Sequence, residues 1–372
     1  MRIGIVAPEF PPQVGGIEAY SYGLAKELAR RGHEVTVFST PTKEKELTNL
    51  NFRIIRELRL QYDLDLNLLL NYQFEVLHCT NACYSWLANE IRNVVVSVHG
   101  KDFLSPYFKI IDLKQSFHLK RGDRINFLIN KLISKQLIRK SLPKVYHIFT
   151  NSHYTEQVVL KFSPACQGKT SVARVGIAEE FFDLELTSRK SREPVRFITV
   201  SRLSEPRKNI DLVLRALAQI KDKFNFEYTV IGEGELMASL KKLAQSLKLE
   251  QKVYFRGRLS DSSLRELLCS SDLFILPSSV LQGNFEGFGI VYLEANACGV
   301  PVLALRAAGA QEAIKEGVSG FFIEEPTAEQ LSGALKRFLS GEIIFSSHLC
   351  KEYAKQFTWA NVVDHCLQYY PK

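Results

Sequence analysis

The stretch at residues 277–304 constrains the fold of this chain more than any other part of it. Residues 272–277 form a short apolar run that ends in a proline, which predicts a buried strand. Further on, the Gly-Val-Pro of residues 299–301 stops a helix, and residues 302–304 predict the next parallel strand. The order is therefore strand, loop, helix and strand. The loop follows the carboxyl end of the first strand, where open α/β sheets bind ligands.

Two carboxylates, Glu286 and Glu294, stand on either side of the predicted helix start. Gly287 and Gly289 let the backbone approach a ligand closely, and the free amides of a helix start can bind an anion. Because Glu294 follows Glu286 by about two helical turns, both side chains can face one cleft and grip sugar or ribose hydroxyls. By spacing alone, both would be ordinary solvated residues, because a Glu-x7-Glu spacing is common.

The residues around this pair favour the functional interpretation. Residues 286–289 are Glu-Gly-Phe-Gly, and a Glu-Ala and a closing Gly-x-Pro follow. This pattern resembles the Glu-x7-Glu signature of the retaining glycosyltransferase family 4. The resemblance implies a GT-B architecture, in which two doubly wound, Rossmann-like α/β domains face an inter-domain cleft. It also implies that Glu286 is catalytic, that Glu294 holds the ribose, and that the donor contacts Gly287, Phe288, Gly289 and Ile290.

The length of 372 residues and the pattern of elements predict two domains. Strands are predicted at residues 2–7, 34–38, 76–78, 94–98, 146–150, 196–200, 226–231, 253–256, 273–276 and 302–304. The polar stretch at 178–194 predicts a linker. The resemblance implies an acceptor-binding domain at 1–177, a nucleotide-sugar-binding domain at 195–355, and a C-terminal helix at 356–372 that crosses back to the first domain.

The net charge of +8 is unevenly distributed. Residues 1–177 hold 24 Lys and Arg against 15 Asp and Glu, whereas the remainder holds 24 against 25. We expect the two halves to face different partners.

The seven cysteines are dispersed without a CxxC pair, which predicts reduced thiols. No apolar run approaches the ~20 residues of a membrane span, and the first residues predict a strand and not a signal peptide. These features predict a cytoplasmic protein.

Arg202 and Lys208 lie in a loop that is predicted between a strand and a helix. Cations at the carboxyl end of a strand suit a diphosphate, although a solvated basic loop would have the same composition. The resemblance implies that both residues are catalytic and stabilise the departing nucleotide diphosphate in place of a metal. No metal and no cofactor are therefore expected, and the nucleotide-sugar, UDP- or GDP-linked, enters as a substrate.

The resemblance implies that three further segments, at residues 15–18, 232–234 and 256, lie near the donor. Gly15, Gly16 and Glu18 stand at the start of the first predicted helix, where a tight turn is the simpler reading. The family places such a loop over the donor diphosphate and near the acceptor, which Glu18 would contact. Gly232 and Gly234 also suit an ordinary strand-to-helix turn, but the resemblance sets them, with Arg256, against the nucleotide.

His99 and Asp102 follow an apolar strand. Histidines at strand ends are mostly structural, but the resemblance implies that His99 lines the reaction centre and contacts the transferred sugar. Asp102 is a predicted acceptor contact. The Asp63-Leu64-Asp65 run resembles a metal-binding DxD, but it lies in an amphipathic stretch and is predicted to be at the surface.

Residues 109–144 carry ten Lys or Arg against two Asp, interleaved with apolar residues at largely helical spacing. A basic amphipathic helix can lie in an anionic bilayer interface. The alternative is a helix that packs its apolar stripe on the first domain and leaves its basic face in water. No aromatic-basic platform for nucleic acid accompanies the charge. We therefore expect peripheral binding to the inner face of the cytoplasmic membrane and no nucleic-acid partner.

Together these features predict a retaining glycosyltransferase that moves a sugar from a nucleotide-sugar to a glycan or lipid-linked acceptor, in the synthesis of cell-envelope or polysaccharide glycoconjugates. The alternatives are a nucleotide-sugar epimerase, against which the Glu-x7-Glu context argues, and a non-catalytic binder. Such a binder would be expected to lose Arg202, Lys208 or His99, and all three are present.

Overall fold

The computed structural model describes residues 1–13, 15–44, 47–100, 103–104, 108–110, 122–183 and 193–372, with the backbone alone at 122–125. The chain forms two compact units. The first comprises Met1–Gly176 and Trp359–Lys372, and the second comprises Ile177–Thr358.

The first unit is built on a seven-stranded parallel sheet. Its strands are β1 Arg2–Val6, β2 Glu34–Phe38, β3 Arg53–Ile55, β4 Val76–Cys79, β5 Val94–Val98, β6 His147–Thr150 and β7 Thr170–Val172. They lie in the order β3-β2-β1-β4-β5-β6-β7. β4 and β5 are buried along their whole length, as expected for central strands that are covered on both faces.

Helices connect these strands. They are α1 Gly16–Arg30, α2 Tyr62–Leu70, α3 Gly122–Ser141 and α4 His153–Phe162. Short 3-10 segments lie at Ala82–Asn89, Leu142–Lys144 and Pro164–Cys166. The α4 start is capped by Ser152, whose hydroxyl accepts a hydrogen bond from the Thr155 amide and so satisfies one free donor of the first turn.

The second unit holds a six-stranded parallel sheet. Its strands are β8 Val195–Val200, β9 Phe226–Ile231, β10 Val253–Gly257, β11 Leu273–Leu276, β12 Val302–Leu305 and β13 Gly320–Ile323. Their order is β10-β9-β8-β11-β12-β13. The helices are α5 Ile210–Ala218, α6 Met237–Ser246, α7 Asp261–Cys269, α8 Ile290–Ala297, α9 Ala310–Ala313, α10 Ala328–Leu339 and α11 Ser347–Ala354, with 3-10 turns at Glu179–Phe181 and Pro206–Lys208.

The last helix, α12 Trp359–Tyr369, belongs to the first unit and packs on α1. Arg31 bridges the two helices, because its Nη1 lies 2.5 Å from the Asp364 carboxylate and its Nη2 donates to the Ala360 carbonyl at 2.8 Å. Trp359 lies against Gly23 of α1, where a Cβ would overlap the indole ring. The missing side chain at this position therefore makes room for the indole.

The predicted pair of doubly wound α/β folds is confirmed. Three strands, β3, β7 and β13, were not predicted, because three or four residues at a sheet edge carry too little periodic pattern. Most of the predicted linker at 178–194 lies outside the described residues.

The surface prediction for the Asp63-Leu64-Asp65 run is wrong for Asp65. Its side chain is buried and accepts hydrogen bonds from the Arg59 amide and the Tyr84 hydroxyl, both at 2.7 Å. Burial raises the pKa of the Asp65 carboxyl. Asp65 therefore fixes the chain that leads into α2, whereas Asp63 is exposed.

All seven cysteines are free thiols, and five of them are buried. No helix within the described ranges is long and apolar enough to cross a membrane.

Candidate active site

Two loops of the second unit lie side by side where its strand order reverses. β8 and β11 are neighbours in the sheet, although β9 and β10 separate them in the sequence. β8 leads into residues 201–209, and β11 leads into residues 277–289. In doubly wound sheets such a switch point leaves a crevice between the two loops, and ligands bind there. The loops that were predicted to bind the donor are therefore adjacent.

The two loops are joined by ion pairs. Lys208 Nζ lies 2.6 Å from Glu286 Oε2, and Arg207 Nη1 lies 3.4 Å from the same oxygen. Burial by itself would raise the pKa of the Glu286 carboxyl, but the two cations outweigh burial and lower its pKa to about 2. Glu286 is therefore an anion at every physiological pH.

The ion pairs continue from Arg207 through Glu205 to Arg202, which was predicted from the sequence. Arg207 Nη2 lies 2.6 Å from Glu205 Oε2, and Glu205 Oε1 lies 3.2 Å from Arg202 Nη2. The Arg207 side chain is only 9% exposed, whereas that of Arg202 is 67% exposed. Arg202 and Lys208 were predicted from the sequence, but Glu205 and Arg207 were missed as site residues.

Backbone contacts hold the same loops together. The Ser279 amide donates to the Arg207 carbonyl at 2.8 Å, and the Asn209 side-chain amide donates to the Pro277 carbonyl at 2.7 Å. The Glu286 carbonyl accepts a hydrogen bond from the Gly309 amide at 3.0 Å. The position of the Glu286 carboxylate is thus fixed by its own backbone as well as by its ion pairs.

The backbone at the start of α8 adopts a conformation that requires glycine, as the glycines of the motif predict. Gly289 caps the helix with φ at 91°, in the left-handed region, and a Cβ there would overlap the Tyr292 ring. Phe288 is buried, and the Tyr292 hydroxyl donates to the Leu276 carbonyl at 3.0 Å. Ile290 is the first residue of α8.

Glu294 differs from Glu286 in its electrostatics. It lies on α8, and its side chain is largely buried. Burial, and to a lesser extent the negative charge of Asp261, raise the pKa of the Glu294 carboxyl to about 7. The pKa values of the two carboxyl groups are therefore displaced in opposite directions, and perturbed pKa values are common at functional sites.

Gly232 and Gly234 have a packing role that the sequence did not predict. Both have positive φ, and a Cβ at Gly232 would overlap the Ser201 carbonyl, while one at Gly234 would overlap the backbone of Leu203. The Leu203 amide donates to the Glu233 carbonyl at 2.7 Å. These glycines allow the backbone of the 201–204 segment to approach. Their predicted contact with the donor remains a prediction.

Arg256 is exposed at the end of β10, the edge strand, and its guanidinium carbon lies 5.6 Å from the centre of the Tyr254 ring. Its predicted contact with the nucleotide remains a prediction.

In the first unit, Gly15 and Gly16 stand at the start of α1, as predicted. α1 begins at Gly16, and the Ala19 amide donates to the Gly15 carbonyl at 3.0 Å. The Glu18 carboxylate folds back onto Gly15, and a Cβ atom at residue 15 would overlap this carboxylate. Glu18 therefore lies at the amino end of the helix, where its charge is favourable.

His99 follows β5 and has a neutral ring. Its carbonyl accepts from the Asn151 side-chain amide at 3.3 Å, and its ring centre lies 4.1 Å from that of Tyr20. Burial lowers the pKa of His99 to about 3. Its buried Nε2 has no hydrogen-bond partner among the residues that the structure describes. Asp102, the predicted acceptor contact, lies outside the described residues.

A buried hydrogen-bonded chain runs beneath His99 and was not predicted. The Tyr20 hydroxyl lies 2.9 Å from Ser97 Oγ, which lies 2.7 Å from His78 Nε2. His78 Nδ1 lies 2.6 Å from the Tyr370 hydroxyl. The packing around His99 is therefore connected to the C-terminal segment of the chain.

Within the described ranges, no three His, Cys, Asp or Glu side chains form a cluster that could hold a metal ion.

Two family models match the chain and together span most of it. The model described as Glycosyltransferase Family 4 matches residues 14–181, and the model described as Glycosyl transferases group 1 matches residues 185–357. The chain belongs to the group 1 glycosyltransferases of family 4, and it is a transferase of the GT-B fold class. The resemblance seen in the sequence is thereby confirmed.

Individual proteins agree with this assignment. The chain is 25% identical to an uncharacterized glycosyltransferase of Methanocaldococcus jannaschii, over 100% of this chain and 98% of that protein. It is 27% identical to the GDP-mannose-dependent monoacylated alpha-(1-6)-phosphatidylinositol monomannoside mannosyltransferase of Corynebacterium glutamicum, over 91% and 89% of the two chains. Anabaena HepE, solved with UDP and glucose, has a TM-score of 0.72 at 17% identity over 99% and 98% of the chains, which shows the shared fold.

Proposed function

We propose that this glycosyltransferase is a retaining enzyme that moves a sugar from a UDP- or GDP-linked donor to a glycan or lipid-linked acceptor, in the synthesis of cell-envelope or polysaccharide glycoconjugates. The observation that carries the proposal is the joining of Lys208, Arg207 and Glu286 across the switch point of the second sheet. The site has cations for a diphosphate and a fixed anion for sugar hydroxyls.

In the proposed reaction, the bond between sugar C1 and the terminal phosphate oxygen breaks. A bond from C1 to an acceptor hydroxyl oxygen forms on the same face of the sugar, and the hydroxyl proton passes to the departing phosphate. Arg202 and Lys208 stabilise the charge that develops on the diphosphate. Glu286 accepts hydrogen bonds from the sugar hydroxyls, and Glu294 from the ribose. A contact of His99 with the transferred sugar stays a prediction.

The donor class is supported by similar proteins. The name of the Corynebacterium relative specifies GDP-mannose, and the Anabaena structure contains UDP and glucose. Neither base is favoured by the described residues. The acceptor class is supported by the same relative, whose name specifies an acylated phosphatidylinositol mannoside as its acceptor.

A membrane-proximal acceptor is also supported by α3, whose outer face is unusually apolar. Phe127, Leu128 and Leu132 are 48%, 56% and 67% exposed. The face turned inwards also carries polar residues, among them Asn130 and Ser134, which are fully buried. The helix therefore buries only part of its apolar surface, with Ile138 in the core and Leu128 and Leu132 largely in solvent.

The buried polar residues of α3 have partners that account for their position. Asn130 Oδ1 accepts from the Ile110 amide at 2.7 Å, and Ser134 Oγ accepts from the Phe108 amide at 2.9 Å. Packing on the first unit explains the burial of Ile138 but not the exposure of Leu128 and Leu132.

Positive charge accompanies this apolar face. Lys135, Arg139 and Lys140 are exposed on α3. We therefore propose that α3 rests on an anionic bilayer on the cytoplasmic side, with its apolar side chains in the interface and its cations near lipid phosphates. The predicted segment 111–121 lies outside the described residues.

The proposed function is tested by screening UDP- and GDP-linked sugars for thermal stabilisation of the chain, followed by transfer assays with glycan and lipid-linked acceptors. A specific donor should raise the melting temperature by mass action and should support transfer. The absence of stabilisation by every nucleotide and nucleotide-sugar tested would contradict the proposal.

A further inference from the structure

The side chain of Arg207 occupies a central place in the ion-pair network. It lies on the 3-10 turn Pro206–Lys208 and is 9% exposed. One of its terminal nitrogens faces Glu205 at 2.6 Å and the other faces Glu286 at 3.4 Å. Its carbonyl is bound by the amide of Ser279. Both ends of the residue are therefore fixed.

Lys208 contacts the same oxygen of Glu286 at a shorter distance than Arg207 does, but through a single ion pair. Its ammonium group has one carboxylate partner, at 2.6 Å, and it ends a flexible four-carbon stem. Arg207 spans two carboxylates with a planar, rigid group. When an anionic ligand enters the site, Lys208 can turn towards it at the cost of one ion pair, whereas Arg207 would have to leave two.

We infer that Arg207 is a positioning residue that stays on Glu286 as its fixed cationic partner when Lys208 turns to the donor diphosphate. The inference rests on the proposed function, because it requires a diphosphate as the ligand. Among the described residues, Glu286 has two cationic partners. In the donor complex it has one, and Arg207 alone keeps the carboxylate charged and aligned with the sugar hydroxyls.

Within the described ranges, the other titratable groups near Glu286 cannot take this role. The Tyr292 phenol, on α8, is uncharged, because burial and the nearby Glu286 raise its pKa. Glu205 lies beyond Arg207 and is itself an acid. Burial would raise the pKa of an unpaired Glu286. Without Arg207, the carboxyl group is therefore expected to take up a proton when the diphosphate draws Lys208 away.

The test measures, by calorimetry, how many protons the protein takes up when it binds a nucleotide. UDP and GDP are titrated at pH 6 in two buffers of different ionisation enthalpy, and the nucleotide that binds the wild type is used for all variants. Arg207→Met is expected to take up as much as about one more proton on binding than the wild type, because Glu286 becomes protonated. Arg207→Lys should return the uptake towards the wild-type value. Arg207→Met/Glu286→Gln should abolish the excess.

A matched control is available in the same unit. Arg306 also bridges two carboxylates, Glu316 at 2.8 Å and Glu324 at 2.7 Å, but it lies outside the proposed site. Arg306→Met should bind the nucleotide with the proton uptake of the wild type. If Arg207→Met does not fold, Arg207→Met/Glu205→Gln, which leaves no unpaired acid behind, is measured in its place.

The pH dependence of turnover provides a second readout. The pH at which kcat falls on the acidic side of its profile (the acidic limb) reports on the donor complex. The acidic limb of kcat/KM reports on the free enzyme. Arg207→Met should move the acidic limb of kcat upwards by roughly 3–5 pH units and that of kcat/KM by less, because Lys208 still pairs with Glu286 in the free enzyme. A role in folding alone would not move the two limbs differently.

Two results would overturn the inference, and they are distinguishable. If the wild type binds neither UDP nor GDP, the proposed function fails and the inference fails with it. If the wild type binds one of them and Arg207→Met binds it with unchanged proton uptake, Lys208 does not leave Glu286 and only the inference fails.

Discussion

The Lys208 ammonium lies 2.6 Å from the Glu286 carboxylate, although the two residues are separated by 78 positions in the chain. The parallel pairing of β8 with β11 brings their loops together. This contact joins the two motifs that the sequence had assigned separately, one to the diphosphate and one to the sugar. It also provides an internal anion for Lys208, which a donor diphosphate is expected to replace.

The first prediction concerns the two cations that were identified from the sequence. Arg202→Ala and Lys208→Ala should each lower kcat by roughly 10²-fold or more, because each removes a charge that stabilises the departing diphosphate. Activity should persist in EDTA. Arg306→Ala, which removes an arginine outside the site, is the control and should keep normal turnover. Near-normal turnover in both site variants, or loss of wild-type activity in EDTA, would contradict the assignment.

The second prediction separates the two carboxylates. Glu294→Gln should mainly weaken binding of the free nucleoside diphosphate, because Glu294 is proposed to hold the ribose. Glu286→Gln should mainly lower the rate of transfer, because Glu286 is proposed to hold the sugar. Calorimetry with UDP or GDP, beside steady-state kinetics, measures both effects. An equal loss of nucleotide affinity in the two variants would contradict separate roles.

Glu294→Gln should also change stability in a pH-dependent way. The pKa of the Glu294 carboxyl is raised to about 7 in the folded chain, from the ordinary value of 4.5 that we take for the unfolded chain. Between these values the folded state keeps a proton that the unfolded state has lost, so wild-type stability falls as the pH rises through this window. The variant does not titrate, and its melting temperature should exceed that of the wild type by roughly 3–6 °C at pH 8. The difference should fall to about a quarter at pH 5 and nearly vanish at pH 4, below the reference value, and a constant difference would contradict the pKa assignment.

A third prediction concerns the contact between α1 and Trp359. Gly23→Ala should lower the free energy of unfolding of the first unit by ~1–3 kcal/mol, because the new methyl group overlaps the indole ring. Gly333→Ala is the matched control, since Gly333 also lies within a helix, α10, but has open space around it. That change should stabilise the chain by ~0.5–1 kcal/mol.

Tryptophan fluorescence suits this test, because both tryptophans, Trp86 and Trp359, belong to the first unit. Urea unfolding of Gly23→Ala is followed by fluorescence, and that of Gly333→Ala by circular dichroism. A Gly23→Ala protein as stable as the wild type would show that Trp359 does not pack tightly on α1.

The fourth prediction concerns the membrane. The wild type should float with vesicles that contain phosphatidylglycerol at low salt, and high salt should release most of it, because screening weakens the attraction between the cations and the lipid. Leu128→Ser/Leu132→Ser should reduce the bound fraction severalfold, because the apolar contact with the bilayer is lost.

The control for the membrane test is Leu64→Ser/Leu70→Ser. These leucines lie on α2 of the same unit and are 50% and 57% exposed, close to the exposure of the α3 pair. The control should float like the wild type. If the wild type does not bind anionic vesicles at low salt and is fully active on a water-soluble acceptor, the exposed face of α3 has another role.

The sequence predicted the repeated α/β pattern and the position of the main motifs, because buried parallel strands and glycine-rich loops leave strong local signals. It did not predict Glu205 and Arg207, because a charged residue inside a basic loop looks the same whether it faces water or a second loop far away in the chain. Only the pairing of β8 with β11 distinguishes the two cases.

The other omissions have similar causes. Tyr20, His78 and Tyr370 form one buried chain under His99, but they come from three distant segments and none belongs to a motif. For α3, helical spacing predicted an amphipathic helix without indicating which face is buried. The inward direction of Asn130 and Ser134 depends on the amides of residues 110 and 108, which only the tertiary structure brings close.

The central claim is transfer of a sugar with retention, and the most direct measurement is the anomeric configuration of the product. Proton NMR of the first product formed from an α-linked UDP- or GDP-sugar should show an α-glycosidic linkage, and the signal should be strongly reduced with Lys208→Ala. A β-linked product would contradict the retaining mechanism, and an α-linked product formed equally well by Lys208→Ala would contradict the site.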